Sequence, residues 1–214
     1  MNESFEVFGG IAEKSVEDFQ RAVNLLYNNC DGLHVDVADG VFVANKFVDL
    51  TEIRLPEEMF CEAHLMVSNP VEMLEICKQK GFRKVIIHPS ALVDESTVAD
   101  EDIYKRAKDL GMLLFWGYEI ESWPNAAQLK NADGVMFMTV PLGFAGGKFE
   151  EAQLEKIAQF KKNNPGCVVE VDGGVSDKTI TKIKHSGVDW VTSTSWLQSG
   201  ESVRQNYINL KSSK

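Results

Sequence analysis

Three short stretches place ionisable side chains at alternating positions. They are Leu33-His34-Val35-Asp36-Val37-Ala38-Asp39-Gly40, Glu62-Ala63-His64-Leu65-Met66-Val67 and Val169-Glu170-Val171-Asp172-Gly173-Gly174. Side chains two apart share one face of a β-strand. His34 with Asp36, Glu62 with His64 and Met66, and Glu170 with Asp172 therefore each form a polar face backed by Val, Leu or Ala. The apolar face is the one that helices would cover, so the polar face is expected to point into the interior. Uncompensated buried charge costs several kcal/mol per ion. Two arrangements relieve it: a closed hydrogen-bonded cluster, or a divalent cation held by the imidazoles and carboxylates. For a lone histidine the cluster suffices. For His34, Asp36, His64 and Asp172 at the ends of three strands, a cation is favoured, with zinc first and iron or manganese compatible with the same donors.

A second chemistry is suggested downstream. Gly143-Phe144-Ala145-Gly146-Gly147, Gly173-Gly174 and Ser193-Thr194-Ser195 each follow or end an apolar run. Glycine-rich turns and helix N-termini present backbone N–H groups to anions. Gly143, Gly146, Gly173, Gly174, Ser193 and Thr194 are therefore candidate phosphate-binding residues.

The elements that must carry these groups follow from the hydrophobic pattern. Eight apolar runs read as strands: Glu6–Ile11, Gly32–Val37, Phe60–Val67, Lys84–His88, Met112–Tyr118, Gly134–Val140, Cys167–Asp172 and Trp190–Ser195. Between them Val16–Tyr27, Val71–Lys80, Asp102–Leu110, Ala126–Lys130, Phe149–Lys162, Thr179–His185 and Ser202–Leu210 read as helices. Ser15 with Asp18 is a variant of the capping box, and Pro70 is tolerated at a helix start. The segment from Gly40 to Pro56 reads as a long loop with a short helix at Asp49–Leu55. Eight strand–helix units of roughly 25–30 residues fill the chain as a closed α/β (β/α)8 TIM barrel, one domain over residues 1–214, with its site at the C-terminal ends of the strands. An open doubly wound sheet more often carries GxGxxG after its first strand; here that strand ends Gly9-Gly10-Ile11-Ala12.

The chain has 214 residues, 44% hydrophobic and 25% charged, with a formal net charge of −10. It carries no basic patch of the kind that binds nucleic acid and no apolar run of about 18 residues that would span a membrane. The acidic start, with Glu3 and Glu6, is unlike a secretory signal, and a cytoplasmic location is expected. Cys30, Cys61, Cys77 and Cys167 form no CxxC pair and are expected to be buried free thiols.

Taken together the motifs resemble those of the ribulose-phosphate 3-epimerase family, from about Gly32 to Leu197. Leu33 to Asn45, His64 to Pro70, Met138 to Phe149 and Glu170 to Val175 are similar to its signatures in order and spacing. The resemblance implies one divalent metal on His34, Asp36, His64 and Asp172. It also implies that Asp36 and Asp172 form the acid–base pair. One would remove the C3 proton of a ketose phosphate, and the other would return a proton to the opposite face of an enediolate. Met66 and Met138 would line that intermediate. The substrate would be ribulose 5-phosphate/xylulose 5-phosphate or a hexulose 6-phosphate, and the resemblance leaves room for a homo-oligomer.

The chain departs from the family at Gly10, where a substrate-contacting serine is usual, at Ala38, at Pro141-Leu142-Gly143-Phe144, at Gly117-Tyr118-Glu119-Ile120 and at Ser193-Thr194. These changes surround the substrate rather than the metal. They motivate an alternative, a non-catalytic or weakly active sugar-phosphate-binding paralogue. A related barrel lyase would need an Asp-x-Lys-x-x-Asp run, and Asp36-Val37-Ala38-Asp39 has no lysine. Trp116, Tyr118 and His88 are expected to fill the remodelled pocket, with core packing an equal role for Trp116 and strand capping an equal role for His88.

Overall fold

The computed structural model describes residues 5–92, 99–143 and 147–213. Eight strands, β1 (Glu6–Ile11), β2 (Gly32–Ala38), β3 (Phe60–Met66), β4 (Lys84–Ile87), β5 (Leu113–Tyr118), β6 (Gly134–Met138), β7 (Val168–Asp172) and β8 (Trp190–Ser193), close in sequence order into a parallel barrel. Helices α1 (Val16–Leu26), α2 (Met73–Lys80), α3 (Asp100–Asp109), α4 (Ala126–Lys130), α5 (Ala152–Asn163), α6 (Ile180–His185) and α7 (Val203–Ser212) lie between them, with a 3-10 turn at Pro89–Leu92. The (β/α)8 barrel expected from the pattern is the fold observed.

Each strand sorts its side chains by parity. Val35, Val37, Ala63, Leu65, Val85, Ile87, Leu114, Val169, Val171 and Val191 face outward and pack with Phe19, Leu26, Leu74, Ile157 and Ile183 of the helices in the main apolar core. Each fully buried side chain of this kind contributes roughly 1.5–3 kcal/mol. The inward parity is different. At the bottom Phe60 meets Phe8 and Trp190 edge to face, Phe8 tilts against Trp190, and Phe115 stacks on Trp190 at 5.3 Å. Above them lies a layer of buried ionisable groups, and above that the open end.

Three local expectations are corrected. Asp49–Leu55 forms a turn rather than a helix, because the Asp49 carboxylate accepts from both the N–H and the hydroxyl of Thr51 at 2.8 Å, which competes with helical hydrogen bonding. Helix α2 starts at Met73, after a turn in which Pro70 O accepts from Met73 N. Helix α5 starts at Ala152, since Glu150 N is held by Thr139 O at the end of β6. Ser15 does cap α1, accepting from Asp18 N at 3.1 Å. The four cysteines are free; Cys61 and Cys77 are buried, while Cys30 and Cys167 are half-buried. Burial pushes the thiols of Cys30, Cys61 and Cys77 up to about 12. Among the described residues no helix is long and apolar enough to cross a membrane.

Candidate functional site

The register of the barrel assembles the site. Asp36 on β2 pairs with His64 on β3, His34 with Glu62, and Asp172 on β7 with Met138 and Thr192. His34, Asp36, His64 and Asp172 can each offer one donor atom, and these atoms all lie within 4.8 Å of one another. His64 Nδ1 is 2.8 Å from Asp36 Oδ1 and 3.9 Å from Asp172 Oδ2. His34 Nε2 is 3.3 Å from Asp36 Oδ1 and 3.9 Å from Asp172 Oδ2. Although Asp36 is within ion-pair reach, His34 Nε2 is fully buried and makes no well-directed hydrogen bond among the described residues. A buried imidazole nitrogen held off the hydrogen-bond direction of the carboxylates around it is poorly satisfied, and a cation between them would take up its lone pair. Two nitrogen and two oxygen donors with this convergence suit a divalent metal.

The groups hold protons unequally. Burial opposes charge on Asp36, but its contact with His34, joined by that with His64 when Nδ1 carries the proton, holds it well below the usual carboxylate range. Burial together with the Asp36 and Glu62 charges pushes Asp172 up to about 7, against the pull of His34. Burial disfavours charged His34, yet its contacts with Asp36 and Glu62 raise it well above an ordinary imidazole.

Behind each histidine stands a further group. His34 Nδ1 is 2.6 Å from Glu62 Oε1. The Lys84 ammonium bridges Glu62 and Glu170, and it lies 4.1 Å from the Phe115 ring centroid and 4.4 Å from that of Trp190. Thr192 Oγ1 donates to Glu170 at 3.0 Å. Burial and the Glu62 charge push Glu170 up to about 8; burial alone would raise Glu62 too, but Lys84 and His34 hold it at about 2. His64 Nε2 faces His88 Nε2 at 2.7 Å, and His88 Nδ1 lies 3.2 Å from Glu119 Oε1. Ser90 and Ser122 donate their hydroxyls to that carboxylate, Ser122 at 2.5 Å. Although burial opposes it, these contacts hold Glu119 at about 2.

One cavity opens above the four donors. Asp36, His64 and Asp172 form its floor, Met66 and Met138 its apolar walls, and Gly143, Gly173, Gly174 and Thr194 part of its rim. Ala12, Phe47, Val140 and Val175 complete the apolar lining. Gly173 and Gly174 have φ of +107° and +64°, and a Cβ on Gly173 would stand 2.5 Å from Val140 Cγ2. Glycines without side chains at this strand end let the backbone come close to a ligand in the cavity, and exposed backbone N–H groups suit an anion.

Some expected residues sit elsewhere. Ser193 is off the cavity, because its hydroxyl donates to Val175 O at 2.9 Å. Gly146, with Phe144 and Ala145, lies outside the described residues. Trp116 and Tyr118 do not fill the pocket: they belong to the outward parity of β5, where Trp116 Nε1 donates to Asn131 O and Tyr118 to Gln128. The inward residues there are Phe115 and Gly117. His88 neither lines the cavity nor merely ends β4, since it stands directly behind His64. Gly10 is also explained. A Cβ at position 10 would overlap the Thr194 hydroxyl, so Thr194 occupies the space that a β1 side chain would use and brings its own hydroxyl to the rim. Lys84 and Glu119 were not singled out from the sequence. Parity gives a signal for Lys84, which shares a face with Ile86 and His88; Glu119 follows its strand and carries none.

Comparison with known proteins gives one consistent result. Residues 7–197 match the Ribulose-phosphate 3 epimerase family. The ribulose-phosphate 3-epimerase of Helicobacter pylori (strain ATCC 700392 / 26695) is 32% identical over 181 residues, covering 79% of this chain and 80% of that protein. That of Aquifex aeolicus (strain VF5) is 29% identical over 193 residues, covering 85% and 84%. Among solved structures, 3-hexulose-6-phosphate synthase from Salmonella typhimurium superposes with a TM-score of 0.68 at 13% identity, covering 96% of each chain. That likeness concerns the fold alone.

Proposed function

The chain belongs to the ribulose-phosphate 3-epimerase family, and from that premise we propose that it is a carbohydrate-phosphate epimerase. It inverts C3 of ribulose 5-phosphate/xylulose 5-phosphate or of a hexulose 6-phosphate, with Asp36 and Asp172 as the proton-transferring pair. The observation that carries this reading is two carboxylates of unlike proton affinity on the floor of one cavity, beside a His34 Nε2 that makes no well-directed hydrogen bond. Groups whose environments push their proton affinities apart divide naturally into base and acid.

His34, Asp36, His64 and Asp172 would hold one divalent ion, zinc in our reading, with iron or manganese able to use the same donors. When bound, the metal supplies Lewis-acid stabilisation of the negative charge that develops on the substrate's oxygens. The chain's residues do the rest. One aspartate takes the proton from C3. The other, which must take up a proton as the substrate binds, returns it to C3 from the opposite side of the flattened carbon, which inverts the centre. Met66 and Met138 press on the reacting carbons without offering a competing proton, and they keep water from that carbon. Gly143, Gly173 and Gly174 bind the phosphate through backbone N–H groups, with the Thr194 hydroxyl beside them. The acidic surface repels anions at long range, so this local cradle must supply phosphate affinity.

The cation also balances the charge of the site. Without it, Asp36 faces a charged His34 while Asp172 keeps a proton. A divalent ion that displaces both protons leaves the net charge of the four-residue cluster unchanged.

A coupled assay on ribulose 5-phosphate, run with metal-loaded and chelated protein, tests the proposal. Turnover that disappears on chelation and returns with zinc, manganese or iron(II) supports it. Bound metal without turnover would move the question to a hexulose 6-phosphate. Failure on both substrates would leave the sugar-phosphate-binding alternative.

A further inference from the structure

We propose that His88 and Glu119 form a relay that fixes the tautomer and orientation of His64, so that His64 gives its Nδ1 lone pair to the metal. The inference rests on the metal centre proposed above and goes beyond its four ligands.

The geometry leaves little freedom. His64 presents Nδ1 to Asp36 and Asp172 and Nε2 to His88. Two imidazole nitrogens 2.7 Å apart must share one proton, since two N–H groups or two lone pairs would repel. The proton's owner is decided one residue further out. His88 Nδ1 is fully buried and makes no well-directed hydrogen bond among the described residues, and the acceptor within its ion-pair reach is the Glu119 carboxylate at 3.2 Å. An ionised carboxylate only accepts, and two serine hydroxyls already donate to this one. His88 therefore carries its proton on Nδ1 and turns a bare Nε2 to His64. His64 in turn carries its proton on Nε2, and its Nδ1 is bare. That is the form a metal requires.

The surroundings are shaped for this arrangement. His64 and His88 are fully buried. Gly117 on β5 makes room for the second ring, because a Cβ there would come within 2.9 Å of it. Phe42 covers the ring from the loop side, with centroids 6.1 Å apart. With the relay set, the bare His64 Nδ1 looks at the Asp36 carboxylate across 2.8 Å. Two acceptors at that distance are tolerated when a cation lies among the donors, and unfavourable when none does. The relay thus biases the four-residue cluster toward the loaded state. Outer partners of metal-bound histidines typically alter metal affinity by about 10–100-fold.

The test uses zinc and the full chain. Zinc affinity is measured by competition with a chelator for the wild type, Glu119→Leu and Glu119→Gln, and urea unfolding confirms that the variants fold. The leucine variant removes the acceptor and should bind about 10–100-fold more weakly. The glutamine variant keeps an acceptor oxygen and should recover part of the loss. Long-range proton–nitrogen NMR of the zinc-loaded wild type should find His88 protonated at Nδ1 and His64 at Nε2. Wild-type zinc affinity in Glu119→Leu, or His88 protonated at Nε2 in the loaded protein, would overturn the relay while leaving the metal centre standing. A wild type that takes up no zinc would overturn the metal centre and the relay with it.

Discussion

The two histidines on the cavity floor are supported in opposite ways. His34 is backed by Glu62, Lys84 and Glu170, all fully buried above an aromatic plug. His64 is backed by His88 and then by Glu119, whose side chain is 24% exposed. The inner support is an ionic cluster with no access to water, so removal of one member strands charge in the interior. The outer support ends near solvent and is completed by hydroxyl groups, so its loss detunes the site and spares the fold. One metal centre thus draws rigidity from below and adjustability from its rim.

The largest effect should come from the inner support. Lys84→Met leaves Glu62 and Glu170 without their cation and should cost about 3–5 kcal/mol of stability, read by urea unfolding. Adding Glu62→Gln and Glu170→Gln to it should restore much of that loss. A single-variant cost below about 1 kcal/mol, the range of a surface pair, would mean that the cluster is not ionic.

Metal loading sharpens the contrast through pH. Asp172 at about 7 and His34 well above its ordinary value both hold protons that the cation must displace. Both folded-state affinities for protons are raised, so acid favours the metal-free form and metal affinity must rise with pH. Below pH 7, binding should release about two protons and strengthen on the order of 100-fold per pH unit, easing to about tenfold per unit above it. Calorimetry in two buffers of different ionisation enthalpy counts the protons; release of none would contradict the assignment of donors.

A smaller effect separates the phosphate rim from both supports. Gly173→Ala places a Cβ 2.5 Å from Val140 Cγ2 at a φ of +107°, a strain of order 1–3 kcal/mol. It should raise KM for the phosphorylated substrate by a larger factor than it weakens zinc binding, which it touches through the Gly173 N–H that reaches the Asp172 carboxylate. The smallest effect lies far from either: Ser15→Ala removes the cap of α1 and should lower stability by about 1 kcal/mol, with kcat and zinc affinity unmoved.

What the sequence made legible follows from its periodicities. All eight strands were visible because their outward residues are apolar, mostly Val, Leu, Ile or Ala, and the intervening loops are polar. His34, Asp36, His64 and Asp172 stood out because polar residues recur at a spacing of two inside those apolar runs. The parity of β5 was read in reverse, since Trp116 and Tyr118 look like pocket residues while the true inward pair, Phe115 and Gly117, carries no polar mark. The ion cluster was hidden because Lys84 meets Glu170 across the barrel, 86 positions away in sequence. Glu119 was invisible as a positioning group because its partners, His88 and Ser90, come from the preceding strand end. The exchange of a β1 side chain for the Thr194 hydroxyl also needed the closed barrel, which alone brings residues 10 and 194 together.

The central claim is a proton transfer at one carbon by two aspartates beside a metal. The most direct measurement is hydrogen exchange at C3, followed by NMR in D2O with ribulose 5-phosphate and, in parallel, a hexulose 6-phosphate. Metal-loaded protein should place deuterium at C3 of the epimerised product, and both Asp36→Asn and Asp172→Asn should abolish inversion. Interconversion of the epimers with C3 never exchanging, or full activity in either asparagine variant, would contradict it.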